Sequence, residues 1–147
     1  MPQLAETLLD ESNRPNVVSD CCQVVADEVS QKRGLTGLAV KAAFKTVKTF
    51  SPNIIESVID ILLDDFVEQL DPVYEAYKAA DETDLMDYCI AHDSDISNAL
   101  LGITDKRAER SKHKTLVKAY GKLRPQGEKH VKEAVPSIVK LLEKHGL

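Results

Sequence analysis

The sequence predicts an all-α protein: a single-domain helical bundle of about six to eight helices, spanning 1–147, with a central buried helix near 52–70. Three observations carry that expectation. No segment alternates strictly between apolar and polar residues, while apolar side chains recur at three- and four-residue spacing throughout. Glycine and proline number only six each, and most sit where such a stripe starts or stops. At 147 residues, with 43% hydrophobic and 29% charged side chains, the chain can bury a core without staples and is far from a disordered composition.

Residues 1–14 are expected to be loosely ordered. Their start, "MPQLAETLLDESN", has neither the basic leader nor the apolar run of a signal peptide. A first helix over 16–33 carries the stripe Val18, Cys21, Val25 and Val29, and Gly34 is its natural end. A second, over 37–50, turns Val40, Ala43, Phe44 and Val47 inward and leaves Lys41, Lys45 and Lys48 wet. Then "SPN" at 51–53 offers Ser51 as N-cap and Pro52 as first helical residue.

The third helix is the informative one. Ten apolar residues between Ile54 and Leu70 cover more than half of its circumference, so it should be contacted on several sides. Glu56, Asp60, Asp64 and Glu68 fill the remaining arc at four-residue spacing. Like charges so placed repel by a few tenths of a kcal/mol per pair, so this strip wants water or cations.

Asp71 and Pro72 should end that helix and open a short fourth one. "DETD" at 81–84 puts negative charge ahead of Leu85, Met86, Cys89 and Ile90, where a helix start favours it. Ser94 is positioned to cap the next helix, with Ile96, Ala99, Leu100 and Ile103 inward and a break at Gly102 and Thr104. A basic helix is expected over 105–123. Pro125 should start the last one, which Pro136 should kink or split.

Charge is distributed unevenly. Residues 1–50 balance six acidic against six basic side chains; residues 51–100 hold thirteen acidic and one basic; residues 101–147 hold five acidic and twelve basic. On a single helix over 105–123, Arg107, Arg110, Lys114, Lys118 and Lys122 would share one face. Such a row suits phosphates, whose counterions it would release. It equally suits the acidic middle, either of the same chain or of a second copy. Tyr120 is the segment's one aromatic and lies on its apolar side, so no base-stacking platform accompanies the cations. No helix-turn-helix, zinc-finger or RNA-binding-sheet signature is present either. The block is therefore expected to be an internal or intersubunit counterweight.

Little else points to chemistry. Glycine loops for phosphate, a nucleophile elbow, CxxC and helix-borne Glu-x-x-His are missing, and "GLTG" at 34–37 reads as a helix–helix turn. Cys89 and His92 lie three apart, yet a metal would need Cys21 or Cys22 to complete its shell. The odd count of three cysteines, two of them adjacent, fits free thiols in a reducing compartment. No catalytic, metal or cofactor site is expected, and no membrane span.

The stretches "GLTGLAVKAAFKTVKTFSP", "LLGITDKRAERS" and "HVKEAVPSIVKLLEKH" resemble a family of small bacterial proteins of unassigned function. That resemblance implies a soluble, self-contained helical domain and no functional residues. The leading expectation is a non-enzymatic cytoplasmic protein working through protein contacts, as a homodimer or with another protein. A nucleic-acid-associated protein using helix 105–123 is the alternative. A small-molecule or lipid binder with a pocket beside helix 52–70 comes third.

Overall fold

A computed structural model describes residues 3–81 and 84–147. Among them the chain forms helices α1 (Gln3–Leu8), α2 (Arg14–Gln31), α3 (Gly34–Phe50), α4 (Ile54–Ala79), α5 (Leu85–Ala91), α6 (Asp93–Arg110), α7 (Lys114–Leu123) and α8 (Gly127–Lys144). A 3-10 turn at Arg124–Gln126 precedes α8, and no strand occurs among the described residues. The all-α bundle is as the spacing predicts.

The long helix α4 is central, packing against α1, α2, α3, α5 and α6. It buries Ile59, Leu62, Leu63, Val67 and Tyr74. Its apolar arc is wider than its contacts, however, and Ile61 remains 52% exposed. Nor does α4 end at Pro72. Glu68 and Pro72 both face solvent, so water can take the Glu68 carbonyl that the proline nitrogen leaves without a donor. Pro136 likewise leaves α8 whole, because Val135, Val139 and Leu142 anchor it to the core on either side.

Several boundaries move for local reasons. Ser51 is extended, as a residue before proline prefers, so it closes α3 instead of capping α4. Asn53 occupies the N-cap of α4 without a side-chain bond, and Pro52 lies outside the helix. Ser94 is not a cap either, since α6 already begins at Asp93. The acidic run does stand at a helix start, and its Asp84 goes further and caps α5, accepting the Asp87 amide at 2.8 Å. Glu82 and Thr83, from the same acidic run, lie outside the described residues, as do Met1 and Pro2.

Two larger corrections concern the start of the chain and the basic segment 105–123. Within the segment expected to be loose, Gln3–Leu8 form α1, where Leu4 is only 1% exposed and Leu8 joins it in the core. Six residues are too few to show a periodic stripe. The single basic helix also does not exist. α6 passes through Gly102 and Thr104, whose hydroxyl bonds back to the Leu101 carbonyl at 3.1 Å. The break falls later, where Ser111 turns extended and the chain restarts at Lys114.

Candidate functional site

The basic residues form a face from two directions. Lys114, Lys118 and Lys122 line the exposed side of α7, while Ala119 is buried on the opposite side. Arg107 and Arg110 belong to the exposed last turn of α6, beyond the Ser111–His113 bend. The five therefore do not form one helical stripe. None of them makes an ion pair among the described residues. Among the described residues these five form no intrachain counterweight, the first of the two forms, internal or intersubunit, expected of the block.

α7 lies against α3, which brings a second basic segment alongside. Residues 33–50 hold Arg33, Lys41, Lys45 and Lys48 and no acid. Averaging over 1–50 hid this, because all six acidic residues there precede Val29. The outer face of α3 also presents Leu35, 88% exposed, and Leu38, 65% exposed.

On α4, Glu56, Asp60, Asp64 and Glu68 are all exposed. Arg14 from the head of α2 supplies the cation that the middle of this strip wants. Its Nε donates to Asp60 Oδ1 at 2.9 Å, Nη1 to Asp64 Oδ1 at 3.0 Å and Nη2 to the Asp60 carbonyl at 2.6 Å. These bonds, those to Asp64 foremost, raise the proton affinity of the guanidinium. Glu56 and Glu68 are left to solvent among the described residues. Ile61 projects from the same acidic arc.

One cation of the basic third is used internally. Arg124 holds Asp105 through Nε at 2.8 Å and Nη2 at 3.1 Å, while the Tyr120 hydroxyl donates to Asp105 Oδ1 at 2.5 Å. This cluster pins the end of α7 to α6. Arg124, then Tyr120, holds the Asp105 carboxyl below its usual range. Burial and the bond to Asp105 push Tyr120 up to about 12.

A polar cleft of about 330 Å³ opens where the end of α2, the head of α3 and the start of α8 meet. Lys32, its side chain 9% exposed, reaches Glu133 Oε2 at 2.6 Å and Glu28 Oε2 at 3.6 Å. Ser137 donates to Glu28 Oε1 at 2.8 Å. Lys32 thereby holds the Glu133 carboxyl low. The ring nitrogens of His130 are shielded from solvent and have no hydrogen-bond partner among the described residues. Burial, then the charge of Lys32, lowers that imidazole's proton affinity. Two glycines shape the junction. Gly34 takes φ +73°, and a Cβ on Gly37 would lie 2.6 Å from the Lys32 carbonyl carbon. Nothing in the sequence flags this cleft beyond "GLTG", since its two walls lie about a hundred residues apart.

The remaining candidates resolve into packing. His92 stacks on Tyr88 with centroids 4.1 Å apart and bonds the Tyr88 carbonyl through Nδ1, while Cys89 is buried in the core. No cluster of three metal-binding side chains occurs among the described residues. Burial raises all three thiols, Cys21 to about 11, which keeps them protonated and weakly nucleophilic. The apolar cavity lined by Leu70, Val73 and Tyr74 of α4 measures about 20 Å³. That is room for a water and far too little for a lipid chain. No helix among the described residues is long and apolar enough to cross a membrane.

Fold and surface together define an all-helical protein with separate acidic and basic faces. The chain belongs to a family of unknown function, DUF6918, whose model matches residues 4–146. No curated protein and no solved structure shows significant similarity to it.

Proposed function

We propose that this is a non-enzymatic protein of the bacterial cytoplasm that works through protein contacts, its α3–α7 face docking on the acidic α4 strip of a second copy. The observation that carries the reading is the pairing of charge with exposed apolar anchors on both faces. Leu35 and Leu38 accompany the unpaired cations; Ile61 accompanies the acids of α4. A phosphate backbone would use the cations but leave both leucines uncovered. An acidic protein surface bearing Ile61 covers them. In a two-fold dimer each such contact occurs twice, which doubles its contribution. Three raised, free thiols suit a reducing compartment.

Light scattering after size exclusion at low and high salt tests this. A dimer that loosens with salt is expected, with Leu38→Asp and Ile61→Lys each yielding monomer. A monomer at micromolar concentration in both salts defeats the reading. The nucleic-acid alternative retains one supporting observation: Arg107 and Arg110 of α6 and Lys114, Lys118 and Lys122 of α7 are exposed and make no ion pair among the described residues. It requires retention on an oligonucleotide at low salt that weakens when those five become Gln.

A further inference from the structure

We propose that the cleft between α2, α3 and α8 binds a small phosphate- or carboxylate-bearing anion. Its first qualification is space: about 330 Å³, many times the roughly 30 Å³ that one water occupies. The second is chemistry. Lys32, Arg33, Thr36, Lys129, His130 and Glu133 line it, so the body of the ligand is polar and lipid or aromatic groups are disfavoured.

Charge gives the sign. Glu133 and Glu28 engage Lys32, and Lys129 Nζ stands 4.0 Å from Glu133 Oε1. Three cations thus face two carboxylates, and Arg33 has no ion-pair partner among the described residues. The head of α3 adds to this. Its first helical amide bond is from Gly37 to the Arg33 carbonyl, and no side chain caps the amides before it. Those donors, with the positive end of a 17-residue helix behind them, favour an oxyanion beside Thr36 and Gly37.

His130 is the independent pointer. The side chain is half-buried, yet both ring nitrogens are shielded from water and have no partner among the described residues, which is costly. Lys32 and Lys129 disfavour its protonation, and Glu133 opposes them. An anion seated against those lysines shifts that balance, so the imidazole takes up a proton as the ligand binds.

The experiment follows the His130 ring proton by NMR, assigned as the resonance missing from His130→Gln, during titration with inorganic phosphate or with succinate. Potassium chloride at matched ionic strength is the control. A saturable shift with a rise in the His130 titration midpoint is expected for one or both oxyanions. The responding probe names the source of the oxyanion. Arg33→Gln/Lys129→Gln, which alters two exposed side chains and should melt like the parent, is expected to weaken binding about tenfold. An unchanged His130 resonance with both probes, or equal affinity in the double variant, overturns the proposal.

Discussion

His145 Nε2 lies 2.7 Å from Asp20 Oδ2, joining the end of α8 to α2. On the other side of the ring, Nδ1 lies 3.2 Å from Asn13 Nδ2, and that same amide donates to the Thr7 carbonyl at 2.9 Å. Because the Asn13 NH2 group can only donate, Nδ1 accepts and the ring hydrogen sits on Nε2. The His145 side chain is 8% exposed, so its donor depends on Asp20. Asp20→Ala should cost about 1–3 kcal/mol in urea unfolding. Asp20→Asn, which keeps an acceptor, should cost clearly less. Equal losses for the two would show that the bond does not hold this end together.

Gly37 packs where no side chain fits. A Cβ there meets Lys32 backbone atoms, the carbonyl carbon at 2.6 Å and its oxygen at 2.9 Å. Helix propensity alone would make Gly37→Ala stabilising by up to about 1 kcal/mol. The clash should reverse that sign and cost about 1–3 kcal/mol. A raised melting temperature would contradict the close approach of α2 and α3.

Leu4 belongs to the core although it stands near the start of the chain. Leu4→Ala should cost about 2–5 kcal/mol, as a fully buried leucine does. A loss below about 0.5 kcal/mol, typical of surface positions, would place α1 outside the cooperative unit.

Ser97 is fully buried in α6, and its hydroxyl has no hydrogen-bond partner among the described residues. Ser97→Ala removes that unsatisfied group and improves helix propensity. The variant should equal the parent or exceed it by up to about 1 kcal/mol. A loss of comparable size would reveal a bond that this hydroxyl makes.

Acid should weaken the fold in two stages. Burial, then Lys32, depresses His130 against its ordinary 6.5, with Lys129 assisting and Glu133 opposing. Below that value the unfolded chain binds a proton that the folded chain resists, so stability falls as pH drops through it. Glu28, also in the cleft, is held by Lys32 and Ser137. Asp20, Asp105 and Glu133 are depressed by Lys144, Arg124 and Lys32 respectively. Their contribution is complete above the usual carboxylate range and is lost as pH falls through their lowered values. Urea unfolding at about pH 7.5 and about pH 5.5 should show a smaller loss in His130→Gln than in the parent. An identical loss would remove His130 from the first stage.

Much of the architecture was legible because it is written locally. The stripe of Val18, Cys21, Val25 and Val29, the apolar breadth of Ile54–Leu70 and the acidic run ahead of Leu85 need only helix geometry to be read. The charge division was legible as composition. Boundaries were less so: solvent access at Pro72 and core anchoring around Pro136 let those helices run through, while Pro52 held Ser51 extended and α6 began one residue ahead of Ser94.

The site belongs to the second kind of information. That basic α3 lies along basic α7, that Arg14 takes Asp60 and Asp64, and that Lys32 meets Glu133 all depend on which helices pack together. The sequence by itself determined the helices and their apolar faces, because periodicity acts within a few residues. Tertiary structure alone decided which charges meet and which stay free, because a Coulomb contact requires proximity in space, and that proximity is set by packing the whole core.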